Sequence, residues 1–235
     1  MKEYLKETNM LDFSNFEIIN VINNKQWREL LEKERIIAIY NYVRDGIAFG
    51  YNRDDSIPAS EVLKDGYGQC NTKGTLFMAF LRAVGIPCRI HGFTIDKKLQ
   101  KGAQTGLTYI LAPKEIVHSW VEVYYNGTWY NTEGIILDIK YLSALQRKFS
   151  DCNEGFCGYG AATNFFRNPT IDWDENNTYI QSEGIVQDFG VYNCPDEFFA
   201  EHFQSLSQLK KWMFLHIGRK SMNKNVDKIR NKIKK

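Results

Sequence analysis

Two alternating stretches joined by Asn126-Gly127, "IVHSWVEVYY" and "TWYNTEGIIL", restrict the fold more than any other part of the sequence. Asn-Gly is the strongest two-residue hairpin signal, because both central residues of the favoured turn have positive φ. Such a loop pairs Tyr125 with Thr128, and each further pair follows by one step outward on both strands. Trp120 then faces Glu133, and His118 faces Ile135. Alternation puts His118, Trp120, Glu122 and Tyr124 on one face of their strand. Glu133, two residues from Ile135, becomes the same-face diagonal neighbour of His118, with Cβ atoms roughly 7 Å apart. A carboxylate at that distance can fix the imidazole tautomer and stabilise imidazolium. Asp138 is three residues from Ile135 and points to the other face if the strand continues.

A second feature lies upstream, in "KDGYGQCNTKGTLF" (64–77). Gly66 and Gly68 allow a tight turn, and Gly68 lets the backbone approach a substrate closely. A helix then runs over 70–84. Leu76, Phe80 and Val84 recur at every fourth position, with Phe77 and Leu81 beside them; Gly85 supplies the stop and Pro87 prevents continuation. Cys70 sits in the first turn, where free N–H groups and the positive end of the helix dipole favour a thiolate and could hold an oxyanion. Local signal alone leaves two readings open: a small core residue beside a turn, or a nucleophile. His118 with a carboxylate diagonal to it shifts the balance toward chemistry.

Around these features the pattern predicts an irregular lead-in over 1–22 with one short helix, and a helix from Gln26 through "QWRELLEKERIIAIYNYVRDGI". A short helix capped by Ser60 and ended by Gly66 follows, then a strand at "CRIHGFTI", a loop over 97–115 and a helix over 139–149. Residues 150–195 read as a long loop-rich segment, and "DEFFAEHFQSLSQLKKWMFLHI" as one or two terminal helices. The domain expectation is a core over 1–138 and a loop-rich, helical extension over 139–235 packed on it.

Composition excludes several classes. The 235 residues are 43% hydrophobic, enough for a sizeable core, and the net charge of +2 does not suit a polyanion binder. The basic tail 219–235 lacks interleaved aromatics and reads as a solvated terminal helix, so neither nucleic acid nor a membrane is an expected partner. The N-terminus shows no leader pattern, and no stretch is apolar enough to span a bilayer, so a cytoplasmic location is expected. Five cysteines, an odd number, then read as free thiols. Cys152, Cys157 and Cys194 with His202 fit no standard zinc spacing, and no metal or cofactor is expected. Cys88 reads as core, and His91 as structural or cleft-lining.

"GYGQC", "LFMAFLRAVGIPCRI" and "HSWVEVYYNGTWYNTEG" together resemble the transglutaminase-like superfamily. "AIYNYVRDGIAFGYN" and "PASEVL" are similar to the stretches that precede the cysteine there, and the resemblance covers roughly residues 35–138. It implies a bacterial-type member with an α+β, papain-like fold, a nucleophile-bearing helix packed on an antiparallel sheet. It further implies Cys70 as nucleophile, His118 as base, and Glu133 where the family usually has aspartate. Gly68, Gln69 and Trp120 are the candidate substrate contacts. Asn71 stands where eukaryotic transglutaminases carry tryptophan and no calcium loop is evident, so calcium dependence and true crosslinking are disfavoured. The implied activity is cysteine-dependent acyl chemistry on a peptide or amide substrate through a thioester, by amide or peptide hydrolysis or by acyl transfer; the alternative is an idle fold used as a protein-binding module.

Overall fold

The computed structural model describes residues 1–204 and 207–231, and the side chains of all of these but 107 and 108. Helices are α1 (Phe16–Asn24), α2 (Glu32–Asn41), α3 (Ala59–Asp65), α4 (Cys70–Ala83), α5 (Gly106–Leu111), α6 (Ile139–Lys148), α7 (Pro195–Glu201), α8 (Gln208–Met213) and α9 (Arg219–Arg230). Strands are β1 (Ala48–Phe49), β2 (Tyr67–Gly68), β3 (Cys88–Asp96), β4 (Glu115–Tyr125), β5 (Thr128–Asn131), β6 (Phe156–Gly158), β7 (Ala161–Thr163) and β8 (Ile185–Tyr192). The main sheet is antiparallel with order β5-β4-β3-β8, and the fold is α+β.

α4 is the central element. Every residue from Cys70 to Arg82 is buried. β3 and β4 pack on one side of it, and α1, α2 and α3 pack elsewhere around it. Gly74 lets β4 come close, since a Cβ there would lie 3.4 Å from Val121. The helix ends as its sequence demands: Gly85 takes φ +83°, and Ile86 N–H returns to the Leu81 carbonyl at 2.9 Å. Its cations are enclosed with it, Lys73 completely. Lys73 Nζ donates to the carbonyls of Arg44 (2.9 Å) and Ile47 (2.8 Å), satisfying the turn that follows α2. Burial still pushes the ammonium down to about 7.

The hairpin forms at Asn126-Gly127, both with positive φ, and its register runs from Tyr125↔Thr128 to Glu122↔Asn131. There it stops. Residues 133–135 form a 3₁₀ turn, so the pairs Trp120–Glu133 and His118–Ile135 do not exist. Thr132 bridges instead to Thr178, which draws the chain out of the sheet.

Three other expectations are corrected. The helix from Gln26 breaks at Leu30-Leu31, both extended, and Arg35 satisfies the carbonyls of Trp27, Arg28 and Leu30 that the break exposes. The 97–115 loop carries a 3₁₀ turn and α5. The 150–195 stretch holds a small hairpin, β6–β7, and the edge strand β8. Phe198 of α7 then covers β3 at Gly92, where a Cβ would come within 2.1 Å of its ring. The basic tail is helical, with Lys220, Lys224 and Lys228 exposed, and it also packs one face through Met222, Val226 and Ile229 of α9; residues 232–235 of that stretch, like 205 and 206 before α8, lie outside the described residues. Among the described residues no helix is long and apolar enough to cross a membrane, and no cluster of His, Cys, Asp or Glu could hold a metal ion.

Candidate active site

Cys70 opens α4 and is 9% exposed, at the edge of a cleft of about 550 Å³. The first N–H groups of a helix have no intrahelical acceptor, so Cys70 and Asn71 present amide donors at the positive end of the dipole. Asn71 ties this end of α4 to β4. Its Nδ2 donates to the Val117 carbonyl at 3.1 Å, and its Oδ1 accepts from Ser119 Oγ at 2.9 Å. These two partners flank His118, so the start of α4, with Cys70, and His118 are held in a common frame.

His118 is fully buried. Its Nε2 lies 3.1 Å from Glu133 Oε1. Nδ1 has no hydrogen-bond partner of good geometry among the described residues, while the Cys70 sulfur is close enough to act on the ring. Such bonds are often long in a free enzyme and tighten when substrate binds. Burial pushes the imidazole down, but the Cys70 sulfur and the Glu133 carboxylate outweigh it and hold His118 up at about 10.

Glu133 reaches His118 from the 3₁₀ turn, not along a strand diagonal. Its other oxygen is held by three backbone N–H groups: Ile180 at 2.8 Å, Gln181 at 2.8 Å and Ser182 at 3.1 Å. Thr178 fixes the turn itself, accepting from Glu133 N–H at 3.1 Å on its carbonyl and from Gly134 N–H at 3.1 Å on its hydroxyl. Asp138 does different work. It caps α6 through Tyr141 N–H (2.9 Å), accepts from Phe49 N–H (2.8 Å) and pairs with Arg230 at 2.9 Å. Although burial works the other way, Arg230 and those amides hold its carboxyl below the usual range.

The candidate substrate contacts separate. Gln69 lines the cleft beside Cys70, its amide fixed by Asn52 N–H on Oε1 (2.9 Å) and by Asp55 on Nε2 (2.8 Å). Gly68 does not line it. The space its missing side chain leaves is taken by Thr72 and Lys73, whose atoms would meet a Cβ at 2.7 and 2.9 Å. Trp120 lies outside the cleft as well, packed on Phe93 (ring centroids 4.1 Å) and Tyr179 (5.7 Å). His91 belongs to a separate cluster, held between Glu122 and Asp188 at 2.8 Å each.

Four participants escape a reading of the sequence. Asn71 is adjacent to a candidate nucleophile, but nothing local assigns it a partner on β4. The 180–182 clamp uses backbone donors, which leave no mark on side-chain identity. Gln181 and Asp55 line the cleft from segments that read as loops. Burial raises the Asp55 carboxyl, against the pull of Gln69 and Asn71.

The family model of the transglutaminase-like superfamily matches residues 22–134. No curated protein matches the chain. Among solved structures it is similar to a candidate cysteine protease from Cytophaga hutchinsonii, with a TM-score of 0.44 and 13% identity, over 83% of this chain and 47% of that one. The chain spans about half the length of that protein.

Proposed function

We propose, on the premise that residues 22–134 are a transglutaminase-like core, that the chain performs cysteine-dependent acyl chemistry on a peptide or protein amide. The observation that carries this reading is the buried His118, hydrogen-bonded to Glu133 at 3.1 Å and within reach of the thiol that opens α4.

Cys70 passes its thiol proton to His118, and Sγ attacks the carbonyl carbon of the substrate, forming an S–C bond while the C=O π pair moves to the oxygen, which takes up negative charge. The free amides at the start of α4 hold that oxygen. The C–N bond breaks as the His118 imidazolium gives its proton to the departing nitrogen, leaving a thioester. Water or an amine then attacks the thioester and loses a proton to His118; the S–C bond breaks and the thiol is restored. Glu133 is the positioning residue throughout, keeping the ring turned and supporting its charge.

Peptide mixtures incubated with wild type and with Cys70→Ala, followed by mass spectrometry, test the reading. Hydrolysis, deamidation and amine transfer leave different mass changes, and each should disappear in Cys70→Ala and in His118→Ala. Products that persist without Cys70 would remove it as the nucleophile, and a wild type that yields none would leave the binding module as the better account.

A further inference from the structure

Gln181 is 2% exposed and lines the same cleft as Cys70. Three of its four polar groups have settled positions. Its backbone N–H is on Glu133 Oε2, its Nε2 donates to the Gly160 carbonyl, and its own carbonyl accepts from Gly184 N–H at 2.9 Å. The Gly160 carbonyl can only accept, so the side-chain amide is locked with nitrogen toward Gly160 and oxygen away from it. That oxygen, Oε1, is buried without a hydrogen-bond partner among the described residues. A buried acceptor left open is costly, and in a cleft it is most simply explained by a ligand that donates to it.

The cleft rim also carries Arg53, Asp54, Lys210 and Lys211, while two other glutamines that line it have their oxygens taken. Gln100 Oε1 is taken by the Tyr51 hydroxyl and Gln204 Oε1 by Val117 N–H. Asp55 lines the cleft too, with Oδ1 taken by Gln69 Nε2 at 2.8 Å. Phe49, Ile95, Phe199, Phe203 and Phe214 make the wall apolar. A substrate that suits this surface carries an apolar acyl group and an N–H.

We propose that Gln181 Oε1 accepts a hydrogen bond from the N–H of the amide being cleaved, and so selects amides over esters of the same acyl group. This rests on the acyl chemistry proposed above. The backbone of the same residue grips the carboxylate that orients His118, so Gln181 joins substrate recognition to base orientation. Accepting the N–H also turns the nitrogen so that its lone pair can take the proton His118 gives up.

The test compares benzyloxycarbonyl-phenylalanine as its aminomethylcoumarin amide and its methylumbelliferyl ester, which differ in N–H against O. Gln181→Met should lower the amide-to-ester ratio of kcat/KM by about tenfold to a hundredfold, the range for one buried hydrogen bond. If Gln181→Met does not fold, Gln181→Ala gives the same reading. Equal loss on both substrates, or an unchanged ratio, overturns the role of Gln181 while leaving the acyl chemistry standing. Absence of any Cys70-bound acyl group on wild type with the ester, read by intact mass, overturns both.

Discussion

Ser119 Oγ donates to Asn71 Oδ1 at 2.9 Å, joining the residue after the candidate nucleophile to the residue after the candidate base. Both are buried, and the partner bond to the Val117 carbonyl grips the other side of His118. Asn71→Ala removes both bonds and strands a buried carbonyl. We expect a loss of about 1–3 kcal/mol in stability, together with slower alkylation of Cys70. Calorimetry and a timed iodoacetamide reaction read the two effects. A destabilised variant with unaltered Cys70 alkylation would reduce the bolt to packing.

Thiol selectivity is the next expectation. Cys157 is exposed, whereas Cys70 is buried. Access alone would therefore direct a reagent to Cys157. Burial pushes the Cys88 thiol up to about 11, and it raises Cys157 and Cys194 as well. Substoichiometric iodoacetamide at neutral pH should modify Cys70 first, as located by peptide mapping, and His118→Ala should slow that reaction. Preferential modification of Cys157 contradicts the assignment of Cys70.

The two acids after the hairpin should divide cleanly. Glu133→Gln should lower turnover by roughly four orders of magnitude, the scale seen when an orienting carboxylate is replaced in a serine protease triad, with the thiol still present. Asp138→Asn should act on stability instead, because it weakens the pair with Arg230 and the cap of α6. Turnover and melting temperature, measured on both variants, should show opposite rankings. Matching rankings would sink the distinction.

Stability against pH offers a test that needs no substrate. The His118 imidazole, about 10 in the fold against an ordinary 6.5, binds more protons folded than unfolded between those values. Its contribution is complete below 6.5 and is lost as pH rises through 10. Lys73 runs the other way: at about 7 against 10.5, the unfolded chain binds more protons in that window, so stability rises with pH there. The two slopes oppose each other over pH 7 to 10. Lys73→Met should unmask a steady decline of stability across that range, read from urea midpoints. A variant with the wild-type pH slope would count against the buried ammonium.

Much of this geometry is written locally. The turn at Asn126-Gly127 specifies the pairs out to Glu122↔Asn131, and Gly85 with Pro87 specifies the end of α4. What is not local is what bends the chain after Asn131. Thr178 bridges Thr132 there, and no periodicity near Glu133 announces a partner so far along the sequence. The meeting of Glu133 with His118 follows from that bridge, whereas the sequence offers a strand diagonal that never forms. β8 was hidden for another reason. It is an edge strand with Val186, Gln187 and Asp188 exposed, and a bulge near Phe189 shifts its alternation against β3. The break at Leu30-Leu31 is masked because both residues are apolar and extend the helical pattern across it.

The amides that grip Glu133 belong to residues 180–182, nearly fifty positions further along the chain. Order of synthesis therefore matters. A nascent chain that has emerged only as far as residue 138 already contains the thiol, the imidazole and the carboxylate, yet it has no donors for the second carboxylate oxygen and no β8 beside β3. Long-range closures of this kind come late in folding, because loop entropy opposes them until the distant partner arrives. The frame that Asn71 makes with Val117 and Ser119 is complete within the first 119 residues, whereas Glu133 gains its backbone clamp only when the segment at 178–182 docks.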